Sequence, residues 1–518
     1  MDYIQFADNN VKQILLRNGV GSNGEISYEE AASVTNIGRW FREDISITTF
    51  DELQFFTNLK TIANGAFYAC KNLRSIVLPQ SIAYIAPGAF QMTALESFTV
   101  PVGVFVIEES TFSHCYSLSS VTLPHGLNTI GNGAFFRCRA LSEINIPDTV
   151  TVVGASAFRY SGIQTITIPS GVTCIDMSTF RGCESLTSVS LPDGLVTIET
   201  GAFFGCKNLG AISIPNGVTE IKAFTFHGCA GLRSITVPDT ATIVEQGAFL
   251  KCTGLEHVYL PSGLEVIEDR CFEDCRSLGK ITIPSNTHLL GKSVFKNCIH
   301  LSEMVFKGVT PPSVVMPDIL VEGVPTPITV YVPSNAVNAY RTTPPFDTDK
   351  FNINGTVIVS TPSFSPSEGI TDIGTPIELS SDDGATIYYT LDGSTPNPYS
   401  YQYNTPIVAD TNLIIKAYAT RDGAIDSDVA TGRFSVKMLK PVITPPNGII
   451  TDYITVTITA DPEFTIRYTI DGTTPNESSP IYTNPLVVSN PCLIKAIVTG
   501  DGYIPSDVVT AMFSKASD

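Results

Sequence analysis

A single phrase recurs through the middle of this chain every 22 or 23 residues. It reads G-A-F-x-x-C-x-x-L-x-x-I-x-I-P-x-x-V-x-x-I. A fixed period of this length, with Leu and Ile at set offsets, is typical of a leucine-rich solenoid, whose units must stack because none can bury its own apolar side. Stacking produces an elongated surface suited to holding a partner. The eleven units, numbered in order, are marked by Phe67, Phe90, Phe112, Phe135, Phe158, Phe180, Phe203, Phe226, Phe249, Phe272 and Phe295.

Each unit contains one segment with the pattern of a strand. In Leu-x-x-Ile-x-Ile-Pro, apolar and polar residues alternate, and the proline ends the run because it cannot donate a backbone hydrogen bond. The Gly-Ala-Phe segment predicts a turn or a single helical turn whose Phe fills the interior. The outward strand positions predict a flat face, mostly of Ser and Thr, at Ser75, Val77, Ser97, Thr99, Ser120, Thr122, Glu143, Asn145, Thr165, Thr167, Ser188, Ser190, Ala211, Ser213, Ser234, Thr236, His257, Tyr259, Lys280, Thr282, Glu303 and Val305.

Nine of the twelve cysteines occupy one position of the repeat. Units 2 and 5 carry Thr93 and Ser161 there and are one residue shorter at that point, so the cysteine belongs to a particular turn. Coils about 4.8 Å apart place a disulfide ladder within reach, but identical positions point in parallel directions and an odd number cannot pair. We favour buried free thiols over disulfides, and over metal ligands because the chain has no C-x-x-C pair. The nine are Cys70, Cys115, Cys138, Cys183, Cys206, Cys229, Cys252, Cys275 and Cys298.

The repeat covers residues 57–306, and the segment before it, 1–56, has a different pattern. Apolar spacing predicts helices over 8–16 and 28–34, which together form a helical N-terminal cap over the open end of the solenoid.

Residues 19–30, between these helices, partly match a calcium-binding loop. Gly24, Ile26 and Glu30 fit the pattern, but Gly19 and Gly21 stand at two ligand positions and have no side-chain oxygen. We therefore favour the cap, predict no metal site and leave calcium binding by this loop open.

Residues 307–361 are rich in proline and are interpreted as a C-terminal cap and linker. Ile328–Pro333 predicts one last strand, and Ser334 is predicted to cap a short helix that runs to Tyr340.

A second, longer repeat follows. Tyr389-Thr390-Leu391-Asp392-Gly393-Ser394-Thr395-Pro396 returns 79 residues later as Tyr468-Thr469-Ile470-Asp471-Gly472-Thr473-Thr474-Pro475. Two domains of this size with many short strands, 362–440 and 441–518, predict β-sandwiches. The Asp-Gly pairs predict hairpin turns in which the Asp side chain bonds its own backbone.

Charge and hydropathy limit the possible partners. The net charge is −19, yet residues 57–306 hold 19 acidic and 16 basic residues, so the repeats are nearly neutral. Nothing in this distribution attracts a phosphate backbone, so we predict no nucleic-acid partner. No run of 18 apolar residues predicts a membrane span, and the first residues lack the basic and apolar regions of a secretory signal peptide.

The repeated phrase resembles the BspA-type leucine-rich repeats of bacterial surface proteins over residues 57–306, and residues 26–32 and 47–53 resemble the leader before such arrays. The two Y-T-[LI]-D-G-[ST]-T-P segments are similar to the immunoglobulin-like C-terminal module of chitobiases and β-hexosaminidases, which is an accessory and not the catalytic barrel. The resemblance implies a mainly β, right-handed solenoid with short helical turns followed by two immunoglobulin-like sandwiches. It also implies a cell-surface or extracellular location and adhesion to host receptors, matrix proteins or other bacteria.

No constellation of residues predicts catalysis. The six histidines share no repeat position, and H-E-x-x-H, G-x-S-x-G and phosphate-loop motifs are absent from the sequence. We therefore predict that the protein is not an enzyme and needs no cofactor.

Binding is expected on the outward strand positions, where Tyr259 is the one residue of a type that dominates interface energies. Around it we predict a site formed by Arg233, Glu256, His257 and Tyr259. The leading functional prediction is a surface adhesin or protein receptor carried on a stalk of sandwiches. Carbohydrate capture by the sandwiches, through aromatics such as Tyr399, and a structural or phage-associated spacer remain alternatives.

Overall fold

Each repeat unit folds into one coil of a right-handed solenoid, and most coils have short strands on two sides. The computed structural model describes residues 2–515, which are mainly β and divide into two units, Met1–Val357 and Ile358–Asp518. The first unit contains the solenoid and its ends, and the second contains two sandwiches.

The strands of the first unit are short and parallel. In chain order they are β1 (Thr49–Phe50), β2 (Thr61–Ile62), β3 (Ser75–Ile76), β4 (Tyr84–Ile85), β5 (Ser97–Thr99), β6 (Val106–Ile107), β7 (Ser120–Thr122), β8 (Thr129–Ile130), β9 (Val152–Val153), β10 (Thr165–Thr167), β11 (Cys174–Ile175), β12 (Ser188–Ser190), β13 (Thr197–Ile198), β14 (Glu220–Ile221), β15 (Ser234–Thr236), β16 (Ile243–Val244), β17 (His257–Tyr259), β18 (Val266–Ile267), β19 (Lys280–Ile283), β20 (Leu289–Leu290), β21 (Glu303–Phe306), β22 (Ser313–Val314), β23 (Ile328–Pro333) and β24 (Phe351–Thr356).

Two columns of strands run along the solenoid. The predicted Leu-x-x-Ile-x-Ile strands form the first column, in which Thr165 pairs with Ser188 and Ser234 pairs with His257 on the next coil. The V-x-x-I segments form a second column, such as β2 beside β4, that the sequence analysis did not predict. Strands of two residues are too short for alternation to identify them.

The parallel ladder extends beyond the predicted range 57–306 at both ends. β1 pairs with β3 before the first unit, and β23 pairs with β21 after the last. The prediction that Ile328–Pro333 is the last strand was wrong, because β24 pairs with it in parallel. The short helix after β23, α3 (Val337–Arg341), has Ala336 as its N-cap without a side-chain bond, so the predicted cap by Ser334 was wrong as well.

The phenylalanines form one continuous stack inside the coils. From Phe67 to Phe295, neighbouring rings lie 5.4–5.8 Å apart and within 9° of parallel, and Phe41 extends the column with a centroid distance of 5.3 Å. Offset rings at this spacing add about 0.5–1.5 kcal/mol per pair beyond their burial. The predicted interior role of the Phe column is confirmed.

The repeat cysteines are buried beside this column, as predicted. Each thiol donates a hydrogen bond of 2.8–3.2 Å to the backbone carbonyl of the phenylalanine one coil earlier, for example Cys206 Sγ to Phe180 O. In the two units without cysteine, the hydroxyls of Thr93 and Ser161 contact the thiol of the following coil. Burial raises the pKa of Cys115 to about 11, which keeps that thiol protonated.

Backbone conformation explains why glycine is common at the first position of the Gly-Ala-Phe phrase. Gly65, Gly133 and Gly201 have φ angles of 61°, 58° and 63°, in the left-handed region where a side chain is strained. Serine takes this conformation in units 3, 5, 6 and 11, so glycine is favoured at this position without being obligatory.

The N-terminal cap contains the two predicted helices, α1 (Asn9–Arg17) and α2 (Tyr28–Ser33), and a 3₁₀ turn over Asp51–Phe55. Asp8 is the N-cap of α1, and its other carboxylate oxygen accepts bonds from the Thr48 backbone at 2.6 Å and the Thr48 hydroxyl at 2.9 Å. This contact joins the cap to the first coil. The cap, the coils and the C-terminal strands share one hydrophobic core.

The second unit contains two sandwiches of two sheets each. The first has β25 (Ser363–Ser365), β26 (Gly369–Asp372), β27 (Thr375–Ser380), β28 (Thr386–Thr390), β29 (Tyr401–Gln402), β30 (Ile407–Ala409), β31 (Leu413–Thr420) and β32 (Ala430–Lys437). The second has β33 (Val442–Thr444), β34 (Asn447–Ile450), β35 (Ile454–Thr459), β36 (Thr465–Thr469), β37 (Leu486–Val488), β38 (Cys492–Thr499) and β39 (Val509–Lys515).

The Asp-Gly pairs lie outside any two-residue hairpin. Residues 391–400 join β28 to β29, so the predicted hairpin turn was wrong. The predicted local bond is confirmed, because Asp392 Oδ1 accepts from the Ser394 N–H at 3.0 Å, and Asp471 accepts from Thr473 in the same way.

Candidate functional site

The outward positions of the first strand column form a polar face along the solenoid. Most of them are exposed, as the alternation predicts, including Thr99, Thr122 and Thr165. Val305 is the exception: it is buried at the C-terminal end, so its predicted exposure was wrong.

A shallow groove interrupts this face over units 3 to 7. One concavity of about 550 Å³ is lined by side chains that include Ser120, Asn145, Thr165 and Ser188. A second of about 370 Å³ shares Ser188 with the first and continues to Ser213. We call the combined surface the hydroxyl groove, since small hydroxyl side chains make up most of its polar lining.

The hydroxyl groove coincides with a break in the ladder. Residues 143–146 occupy the place of a strand between β7 and β10, yet within the described chain they form none. The facing edges of β7 and β10 therefore have no partner strand there. Backbone N–H and C=O groups outside a ladder can bond an extended polypeptide.

The four residues predicted as a site lie together on two adjacent coils. Arg233 and Glu256 form an ion pair of 2.6 Å, and their side chains are 74% and 43% exposed. His257 pairs with Ser234 and Tyr259 with Thr236 across the ladder. The carboxylate neutralises the one cation of this group, and the four residues lie outside both concavities.

Most polar residues of the hydroxyl groove were predicted as outward positions, but they were not predicted as a site. The sequence signal that could have indicated the groove was Glu143 and Asn145, a charged and an amide residue at outward positions that hold Ser or Thr in most units. Tyr259 was preferred because of its residue type, and residue type does not indicate concavity.

In the loop over residues 19–30, the carboxylate of Glu30 caps a helix. Glu30 Oε2 accepts a bond of 2.8 Å from the Ser27 N–H, while the Ser27 hydroxyl accepts from the Glu30 N–H, which completes a capping box on α2. The bond from Ser27 holds the pKa of Glu30 below its ordinary value. In residues 2–515, no three His, Cys, Asp or Glu side chains are grouped to hold a metal ion.

The first sandwich exposes two tyrosines. Tyr399 and Tyr401 are 78% and 68% exposed, beside the edge strand β29. The Tyr401 ring lies 5.7 Å from Tyr389. Ser478 and Pro480 stand 79 residues later in the second sandwich, so the pair of aromatics is not repeated there.

The family model described as BspA type leucine rich repeat region matches residues 39–164, 151–230 and 173–302, which together span just over half of the sequence. The chain belongs to the BspA-type leucine-rich repeat family. A model described as Fn3 associated matches residues 377–434 and 454–513 of this BspA-type chain, one match in each sandwich.

Solved structures similar to this BspA-type chain come from several bacteria. A leucine-rich repeat protein from Bacteroides ovatus is 26% identical, with 57% of this chain and 88% of that chain covered and a TM-score of 0.43. A leucine rich cell surface protein from Faecalibacterium prausnitzii is 27% identical, with 50% and 83% covered and a TM-score of 0.33. The pneumococcal vaccine antigen PcpA is 20% identical, with 58% and 77% covered and a TM-score of 0.34. A comparison with curated proteins finds no match.

Helices in the described residues are short. None between residues 2 and 515 has the length and apolar character needed to cross a membrane.

Proposed function

We propose that this protein is a non-catalytic, surface-displayed adhesin or protein receptor that holds an extended segment of a partner protein in the hydroxyl groove. The sandwiches serve as its stalk. Membership of the BspA-type family supports a protein-binding role. The observation that carries the proposal is the break in the ladder at residues 143–146, which brings backbone bonding groups next to the hydroxyls of Ser120 and Thr165.

An array of immobilised matrix proteins and glycans tests this proposal with the wild type and three variants. Thr165→Arg places a long side chain in the hydroxyl groove, whereas Thr99→Arg makes the same change on β5, outside it. We expect protein ligands, with affinity reduced about tenfold or more by Thr165→Arg, equivalent to about 1.4 kcal/mol. Equal affinities of the Thr165→Arg and Thr99→Arg variants would contradict binding in the hydroxyl groove. Tyr259→Ala tests the site predicted from the sequence.

Location is tested by fractionation and antibody labelling of intact native cells. Labelling at the surface is expected. Recovery of the protein only from the cytosol would rule out an adhesin and leave a structural or phage-associated spacer.

Carbohydrate capture is the second candidate function, favoured by the exposure of Tyr399 and Tyr401. Exposed aromatic rings can stack on sugar faces while their polar tips stay solvated. Tyr399→Ala should abolish glycan signals on the same array and leave protein signals unchanged. Glycan signals that survive this variant would exclude the first sandwich as their source.

A further inference from the structure

A row of arginines and aromatic rings follows the turns next to the Phe column. We call Phe136, Arg137, Arg159, Tyr160, Arg181 and Phe204, on units 4 to 7, the arginine–aromatic ribbon. Backbone bonds set its register, because the Arg137 N–H donates to Arg159 O and the Tyr160 N–H donates to Arg181 O, both at 2.8 Å. The ribbon lies on the turns and not on the strands that carry the hydroxyl groove.

The guanidinium groups of the ribbon lie over its rings. Arg137 Cζ is 5.3 Å from the Phe136 centroid, Arg159 Cζ is 5.2 Å from that of Tyr160, and Arg181 Cζ is 4.1 Å from that of Phe204. A glycine makes room for this arrangement, since a Cβ atom at Gly182 would come within 2.3 Å of the Tyr160 ring. Stacking of this kind holds planar arginines in place before a ligand arrives.

These three arginines are not neutralised by the protein. Across residues 2–515 none of them forms an ion pair with a carboxylate, and the Nε atom of each is buried without a hydrogen-bond partner. Several cations of later units are paired, as Arg270 is with Glu273 at 2.6 Å. In the described part of a chain of net charge −19, three arginines without a carboxylate partner thus lie on the consecutive units 4, 5 and 6.

A histidine lies at each end of the ribbon, and burial together with nearby positive charge lowers the pKa of both. Burial and then the charge of Arg137 lower the pKa of His114. Burial first, and then the charges of Lys251, Arg270 and Arg181, lower the pKa of His227 to about 4. Both rings are therefore neutral at pH 7, and the arginines supply the local charge.

We propose that the arginine–aromatic ribbon is a second interaction surface, which binds an acidic polypeptide segment of a partner protein. Guanidinium groups match carboxylates in bidentate pairs, and arginine with aromatic residues is the composition of interface hot spots. A polypeptide is favoured over an anionic glycan because the guanidinium groups already cover the rings on which sugars would stack.

Fluorescence anisotropy with a labelled peptide of alternating Glu and Ser tests this surface on the full chain. The triple variant Arg137→Gln, Arg159→Gln, Arg181→Gln should weaken binding about tenfold or more, equivalent to about 1.4 kcal/mol. Arg74→Gln removes an exposed arginine 4.0 Å from Glu96 and should leave binding unchanged. A peptide with Gln in place of Glu should not bind.

Three outcomes would overturn the proposal. They are equal binding by the wild type and the triple variant, equal binding of the Gln peptide, and binding of heparin but not of the acidic peptide through these arginines. Arg159→Gln alone should weaken binding with an unchanged unfolding midpoint, which separates lost contact from lost fold. Thr165→Arg should leave peptide binding intact, so failure of the hydroxyl groove and failure of the ribbon are distinguishable.

Discussion

The solenoid and the sandwiches bury their apolar residues in different ways. One core runs through the first unit from Ile4 to Ile353, because each coil is covered only by the coils on either side of it. The sandwiches have separate small cores, one from Val359 to Val436 and one from Ile443 to Phe513. A defect in a solenoid therefore spreads to neighbouring coils, whereas a defect in a sandwich stays within its own two sheets.

The largest expected effect on stability comes from removing one ring of the Phe column. Phe180 is fully buried, with the rings of Phe158 and Phe203 at 5.7 and 5.5 Å. Phe180→Ala should lower the free energy of unfolding of the first unit by about 3–5 kcal/mol. The chain has one tryptophan, and Trp40 packs against this core, so its fluorescence during denaturation reports on the first unit.

Phe434→Ala in the first sandwich is the matched control. This ring is also buried, 5.9 Å from Phe364, but it belongs to a separate core. The variant should reduce hydrogen-exchange protection in β31 and β32 and leave the Trp40 midpoint in place. A comparable shift of the Trp40 midpoint in both variants would show that the cores are not independent.

An intermediate effect on stability is expected at the N-terminal cap. The solenoid needs such a cap to cover its open end, whereas the sandwiches do not. Asp8→Ala removes the N-cap of α1 and the bonds from Thr48, so the first unit should lose about 1–2 kcal/mol. Asp392→Ala removes a local turn bond in the first sandwich and should leave the Trp40 midpoint unchanged.

The Asp8 effect should depend on pH. Burial opposes ionisation of this carboxyl, but bonds from Thr48 and Asn10 outweigh it and hold its pKa below the ordinary value. Such a group stabilises the fold above its unfolded pKa of about 3.9 and loses that contribution as the pH falls through the folded pKa. The difference between wild type and Asp8→Ala should thus be full at pH 7 and shrink below about pH 4. A difference that stays constant down to pH 2 would contradict this account.

The smallest expected effect is that of a surface ion pair. Arg233→Gln breaks the exposed pair with Glu256 and should change stability by about 0–1 kcal/mol. Lys437→Gln, which removes a cation 3.1 Å from Asp507 in the second unit, should shift the unfolding midpoint of that unit only slightly. Unfolding midpoints from chemical denaturation check both variants. A shift for Arg233→Gln as large as that for Phe180→Ala would show that an exposed ion pair contributes as much stability as a buried ring.

Sequence alone predicted the features that repeat. Phe180 and Cys206 were assigned to the interior because eleven units agree in register, and the helices of the cap followed from apolar spacing. The second strand column was missed because strands such as Thr61–Ile62 are too short to alternate. β24 was missed because residues 351–356 follow no repeat.

The two proposed binding surfaces could not be predicted because both depend on neighbouring coils. Glu143 and Asn145 look like ordinary outward positions until the interrupted ladder is seen. Arg137 and Tyr160 vary from unit to unit, and their contact requires the register of adjacent turns and the space above Gly182. Single-unit patterns carry no information about such contacts between coils.

The thiol bond from each repeat cysteine to the phenylalanine carbonyl of the coil before it gives nine of the eleven units the same contact between coils. Each of these nine units presents a phenylalanine carbonyl on one side and a thiol donor on the other, whereas the hydroxyls of Thr93 and Ser161 in units 2 and 5 contact the thiol of the following coil. Duplication or deletion of a whole repeat leaves two matching surfaces in contact. The number of coils can therefore change by gene duplication without redesign of the core, while the grooves and ribbons on the outside diverge coil by coil.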